Sequence, residues 1–158
     1  MQVLEALTAA REKILSAAAA LPFEKQDQVF LGIWGIKDLL AHLVGWDYAN
    51  LEAAQAVLAE RLPAFYAHYD KDWKRYNALL VERYRRDDLD VQLAWVKKSR
   101  QELLTHLETV SPADFVRYTG VRFHGWRVTI ERLLRAETSD EEKHLTQIEA
   151  WANASLIP

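Results

Sequence analysis

Apolar residues recur along the chain in alternating steps of four and three, the spacing that lines one face of an α-helix. Val3, Leu7, Ala10, Ile14, Ala17 and Leu21 form the first stripe, and Pro22 ends it. The stretch from Pro22 to Gly35 has no helical period and reads as a connection. Ile36, Leu39, Leu40, Leu43, Trp46, Leu51, Ala54, Val57 and Leu58 mark a second helix, which Pro63 is expected to stop.

The aromatic-rich stretch from Phe65 to Trp73, interrupted by Asp70, Lys71 and Asp72, reads as a short helix or crossover. A third helix is expected to begin near Asp72 and run through Tyr76, Leu79, Leu80 and Tyr84. Arg85-Arg86-Asp87-Asp88 marks a surface break or kink, after which Leu89, Leu93, Val96, Leu103, Leu107 and Val110 resume the period. Ser111-Pro112 closes this helix, because proline disfavours helical backbone in the residue before it. The stretch from Asp114 to Trp126, with Gly120 and Gly125, reads as an extended loop or short hairpin. A last helix runs from near Arg127 to about Ala154. Amphipathic helices with short stops and no run of alternating strands imply helix-on-helix packing: one all-α domain over residues 1–158, a bundle.

The polar positions in this pattern carry the candidate chemistry. The inward stripe of the last helix runs Ile130, Leu133, Leu134, then Glu137, Thr138, Asp140, Glu141 and His144, then Leu145, Ile148 and Trp151. An apolar face has no reason to turn polar for a turn and a half, since an unpaired buried polar group costs about 1–3 kcal/mol. Asp140 and His144, four apart, project from one face. On the second helix, Gly35, Asp38, His42, Gly45 and Ala49 form a stripe in which small neighbours are expected to leave space beside the imidazole. His42, Asp140 and His144 together make a two-histidine, one-carboxylate set suited to Zn, Ni, Mn or Fe(II). The same residues can do acid–base work without metal, and Asp140 with His144 can equally be an ion pair at a helix contact.

The remaining histidines, His68, His106 and His124, read as solvated or packing residues, although Phe123-His124-Gly125-Trp126 is placed to fold over one end of a cleft. Trp46, Trp95 and Trp151 fall on core periods, whereas Trp34 and Trp126 precede helices and are candidates to line a pocket. Arg85-Arg86 reads as a solvated charge cluster. The chain has no Gly-rich phosphate loop, no nucleophile elbow and no zincin motif.

Composition narrows the classes further. At 158 residues the chain fits one domain. Its 20 basic residues against 23 acidic ones set up no positive field, so nucleic acid is not an expected partner. The lack of cysteine excludes disulfides, a thiol nucleophile and thiolate-ligated metal. Neither a signal peptide nor a stretch of the ~20 apolar residues that span a membrane is evident, so the expected location is the cytoplasm and no membrane partner is expected.

Ile36-Lys37-Asp38-Leu39-Leu40-Ala41-His42-Leu43-Val44-Gly45-Trp46, with Trp34 ahead of it, resembles the second helix of the bacterial DinB-like superfamily, the YfiT-like metal-dependent hydrolases, and particularly its ClbS/DfsB-type branch. Asp72-Trp73-Lys74-Arg75-Tyr76-Asn77 resembles the approach to that family's third helix, and His144-Leu145-Thr146-Gln147-Ile148 the histidine-bearing part of its fourth. The resemblance implies an up-down-down-up four-helix bundle, often a homodimer, with a cleft at one end. It also implies a divalent metal held by one histidine on the second helix and two, spaced by four, on the fourth. His42 and His144 match, and Asp140 stands where the family has the first of the spaced pair.

Metal-dependent relatives include thiol-dependent transferases and isomerases, whereas ClbS-type relatives resemble resistance proteins that hydrolyse a strained electrophile without metal. The expected function is therefore a metal-dependent hydrolase or thiol-dependent transferase acting on a small electrophilic molecule, with Glu137 or Glu141 transferring protons beside the metal. The alternatives are a metal-free hydrolase or sequestering protein, and a non-catalytic small-molecule or protein-binding bundle.

Overall fold

A computed structural model describes residues 2–69 and 71–154; Asp70 of the predicted crossover and the two chain ends lie outside the described residues. Four long helices form the bundle: α1 (Gln2–Ala19), α2 (Ile36–Leu58), and, after two shorter helices α3 (Tyr66–Tyr69) and α4 (Trp73–Tyr84), α5 (Leu89–Glu108) and finally α7 (Ile130–Ala154). A short α6 (Pro112–Val116) follows α5. Two antiparallel hairpins precede long helices: β1 (Val29–Leu31) with β2 (Trp34–Gly35), and β3 (Arg122–Phe123) with β4 (Trp126–Arg127).

The order of residues in the core fixes the helix directions. One apolar cluster joins Val3 and Leu7 at the start of α1 to Ala54 and Val57 at the end of α2, Leu103 and Leu107 late in α5, and Ile130 and Leu134 early in α7. The other joins Ile14 and Ala18 to Ile36, Leu39 and Leu40, to Leu89 and Leu93, and to Ile148. Thus α1 and α7 run one way and α2 and α5 the other, the up-down-down-up order expected from the family resemblance.

Local chemistry explains where the elements stop. α2 ends at Leu58, five residues before Pro63, in a Schellman turn: Arg61 N–H donates to Ala56 O and Glu60 N–H to Val57 O, with Glu60 at φ 59°. The stop predicted from Pro63 is therefore made earlier, by backbone geometry. Of the break or kink expected after Tyr84, the structure has the break: Arg85 is extended (ψ 138°), and Asp88 caps α5 by accepting from Val91 N–H at 2.9 Å. Ser111 both follows α5 and caps α6, accepting from Asp114 N–H. The last helix begins at Ile130 rather than near Arg127, because Thr129 Oγ1 accepts from Arg132 N–H and Arg127 pairs with Arg122 in the hairpin.

Two readings of the charged and small residues change. Arg85 and Arg86 are not a free charge cluster: Arg85 Nε lies 2.8 Å from Asp38 Oδ1, and the Arg86 guanidinium sits 4.0 Å from the Trp95 ring centroid. Gly45 does not leave room beside His42. Its missing side chain admits Leu80 of α4, whose Cβ would lie 2.7 Å from an added Cβ. Among the described residues no helix is long and apolar enough to cross a membrane.

Candidate metal and substrate site

Between the two apolar clusters lies a polar layer contributed by all four long helices. Arg11 of α1 donates through Nη1 to Asp47 Oδ2 (2.9 Å) and through Nη2 to Glu141 Oε1 (2.8 Å). Arg100 of α5 reaches the same two carboxylates, and Ser99 Oγ donates to Asp47 Oδ2 at 2.7 Å. All five side chains are buried. Two arginines and two carboxylates sum to zero charge, which is what allows such a cluster to leave water. This layer was not foreseen; its signal was Arg11, four residues after Leu7 and three before Ile14 on the inward stripe of α1.

Glu141 therefore sits in the clamp and is not among the residues lining the neighbouring cavity. Glu137, one turn earlier, does line it. Asn50 Nδ2 donates to Glu137 Oε2 at 3.0 Å. Burial, then the charge of Glu141, pushes the Glu137 carboxyl up to about 8, so it is mostly protonated at neutral pH. The arginines hold Glu141 the other way, below its ordinary range.

His42, Asp140 and His144 meet at the α2–α7 contact beside this layer. Asp140 Oδ2 lies 3.2 Å from His144 Nε2 and 4.0 Å from His42 Nε2. One ligand atom from each residue can be chosen so that all lie within 4.8 Å of one another. His144 Nδ1 stands 2.8 Å from Gln147 Oε1, and its Nε2 faces the Asp140 carboxylate. Contact with His144, then His42, holds Asp140 well below the usual carboxylate range, while burial lowers the pKa of His42.

The donor set fits a cation. Both Nε2 atoms, of His42 and of His144, face Asp140 Oδ2, and an imidazole nitrogen beside a carboxylate oxygen needs a proton or a metal between their lone pairs. The structure thus brings together the three predicted ligands, whereas the other histidines stand elsewhere. His68 stacks on Tyr76 with centroids 4.7 Å apart, and His124 is at the tip of hairpin β3–β4 with φ 45°.

Beside the three residues opens a cavity of about 550 Å³. Its inner wall is aromatic: Trp46, Phe65, Tyr66 and Trp73, with Trp46 centroids 5.4 Å from Phe65 and 5.1 Å from Trp73. Trp46 Nε1 donates to Asn77 Oδ1 at 3.2 Å, so the indole has the polar partner a buried ring needs. Trp34, from β2, and Phe123, Trp126 and Arg127, from β3–β4, complete the lining. The expectation that Trp34 and Trp126 line a pocket is met, and Trp46 belongs to both core and cavity. Asn50 went unremarked in the sequence, although it continues the four-residue spacing of His42 and Trp46.

Comparison with known proteins follows the same lines. The colibactin self-resistance protein ClbS, solved in complex with a dsDNA, superposes with a TM-score of 0.74 at 16% identity, over 94% of this chain and 91% of that one. An uncharacterised protein from Escherichia coli UTI89 superposes with a TM-score of 0.71, also at 16% identity, over 99% of this chain and 94% of that one. No curated protein matches the sequence. The ClbS complex corrects one expectation: a protein with this fold has been crystallised with duplex DNA, so a net charge of −3 does not remove nucleic acid from the possible partners. Net charge averages over the whole surface, whereas phosphate contacts need only a local group of cations. The DinB superfamily model matches the sequence over residues 2–148, and the chain belongs to the DinB superfamily.

Proposed function

We propose that this protein is a metal-dependent enzyme, a hydrolase or thiol-dependent transferase, acting on a small electrophilic molecule held in the aromatic cavity. The observation that carries the reading is the convergence of His42, Asp140 and His144, whose ligand atoms lie within 4.8 Å of one another, at the edge of that cavity. Zn, Ni, Mn or Fe(II) held there supplies a Lewis acid that lowers the pKa of water or a thiol.

The other tasks fall to side chains. Gln147 orients the His144 ring, as partners of metal-binding histidines do. Glu137, neutral and steadied by Asn50, is placed to donate a proton to a leaving group in the cavity. The aromatic wall excludes water and binds a flat or apolar body. The clamp on Glu141 holds α7 in register, and with it the adjacent Asp140. The reading includes a cytoplasmic location and a homodimer.

Metal analysis of untagged protein tests it. Stoichiometric divalent metal that disappears in His144→Ala is the expected result. Protein that stays metal-free after reloading with Zn, Ni, Mn and Fe(II) refutes the metal-dependent reading.

A second reading is favoured by Glu137: a buried carboxyl with a raised pKa inside the cavity can carry acid–base chemistry without metal. The fold is shared with ClbS, a colibactin self-resistance protein, and a resistance role suits such a site. Turnover or sequestration that survives chelation and fails in Glu137→Gln would select it.

A further inference from the structure

The mouth of the cavity carries charge that the proposed reaction does not use. Arg122 and Arg127 face each other as a cross-strand pair in hairpin β3–β4. Both guanidinium groups lie near the Tyr118 ring, 5.2 and 4.9 Å from its centroid. Like charges opposite one another weaken a strand pair; here they share one aromatic ring. Nearby Arg117 and Arg135 are matched by Asp114 and Glu131, at 2.9 and 2.8 Å. Neither Arg122 nor Arg127 has a carboxylate partner among the described residues, although Arg122 Nη1 donates to Gly125 O.

Arg127 and the 68% exposed Trp126 line the cavity, and Arg122, outside the lining, stands across the hairpin from Arg127. Arg132 adds a third cation, 5.7 Å from the Trp126 centroid. Inside the mouth, Tyr66 and Phe123 stack with centroids 4.3 Å apart. A short hairpin concentrates its charge at one place, which suits a single oxyanion group more than a long polyphosphate. Arg127 at the cavity edge, backed by Arg122 and with no carboxylate partner to either among the described residues, combines an anion subsite with a wall of rings that takes a flat body.

We infer that the cavity takes molecules with a planar apolar body and one anionic group, carboxylate or phosphate, the body lying among the rings and the anion resting on Arg122 and Arg127. The inference rests on the reading of this cavity as the substrate site and specifies its substrate class.

Calorimetric titration of the full chain with naphthoate, naphthyl phosphate and neutral naphthamide, before and after chelation, tests it. Both anions are expected to bind at least about tenfold more tightly than the amide, the scale of a charge-assisted contact. Arg122→Gln and Arg127→Gln, both at exposed positions, should each reduce that ratio toward one without weakening the amide. His144→Ala should leave the ratio intact. Equal binding of acid and amide, or no binding of any probe at millimolar concentration, overturns the inference. So does an anion preference that survives the Arg122→Gln/Arg127→Gln double variant, or one that vanishes with the metal or with His144. Displacement of naphthoate by a short DNA duplex, with no binding of naphthyl phosphate, assigns the arginines to a nucleic acid and also overturns it. A metal-free protein that still prefers the anions keeps the inference while sinking the metal reading; a metal-loaded protein without the preference does the reverse.

Discussion

Arg11 on the first helix grips Glu141 on the last, 130 residues away in sequence, through Nε at 3.1 Å and Nη2 at 2.8 Å. Because Glu141 adjoins Asp140, this contact ties the candidate metal site to the electrostatic centre of the bundle. Removing the Arg11 charge leaves Glu141 and Asp47 with Arg100 as their remaining cation. Arg11→Met is therefore expected to lower unfolding free energy by about 3–5 kcal/mol, the cost of breaking a buried pair. Urea denaturation reads this directly. A loss below about 1 kcal/mol would show that water or Arg100 replaces the missing charge.

Ligands and their outer partner should differ in their effect on metal affinity. Alanine at His42 or His144 is expected to weaken binding by more than the roughly 10–100-fold associated with losing an outer partner. Gln147→Ala, which removes only such a partner, should fall within that range. Asp140→His, which offers a third imidazole at the site, should tighten Zn binding. Competition with a chelating dye measures all four. A weaker Asp140→His site would mean that the pocket is shaped for the shorter carboxylate.

Glu137 makes a prediction about pH. Its folded pKa is raised from 4.5 to about 8, so between these values the folded state holds a proton that the unfolded state has lost. Stability due to this group is greatest below the unfolded value and falls as pH rises through the folded one, by at most about 1.4 kcal/mol per pH unit. Glu137→Gln should flatten the decline between pH 5 and 8. His42 works oppositely: burial lowers its pKa from 6.5, so acidification below that value favours the unfolded chain. Denaturation midpoints across this range, compared between wild type and Glu137→Gln, isolate the glutamate; parallel curves would place its pKa near the ordinary value.

Gly45 should resist the substitution that usually strengthens a helix. Alanine for glycine gains about 1 kcal/mol of helix propensity, but here the new Cβ would stand 2.7 Å from Leu80 Cβ. That atom is attached to the backbone of α4 and cannot rotate away, so overpacking of about 1–3 kcal/mol is expected to prevail. Gly45→Ala should melt at a lower temperature than wild type, and adding Leu80→Ala, which keeps the Cβ, should not restore it. A stabilised single variant would mean that α4 shifts freely against α2.

Much of the helical framework was legible. The stripes from Val3 to Leu21 and from Ile36 to Leu58 correspond to α1 and α2 because burying one face is most of what holds a short helix in place. Helix ends were less legible. Glu60 carries no sequence mark of its left-handed conformation, and Asp88 acts as a cap only once Arg85 has left the helix. The polar turn of α7 announced itself as an interruption of an apolar face. Arg11 did not, because one charged residue in a stripe resembles an exposed flank until Asp47, Arg100 and Glu141 arrive from three other helices.

By itself the sequence determined an all-α chain, its helix-forming stretches, and the presence on α2 and α7 of histidines and acids that can meet. Tertiary structure decided their roles. Glu137 and Glu141 are one helical turn apart on the same inward face, yet one borders the cavity as a neutral acid and the other is an anion between two arginines. Periodicity assigns a residue to a face. A carboxyl's charge depends on which cations and how much water surround it, and those neighbours come from helices that only folding brings together.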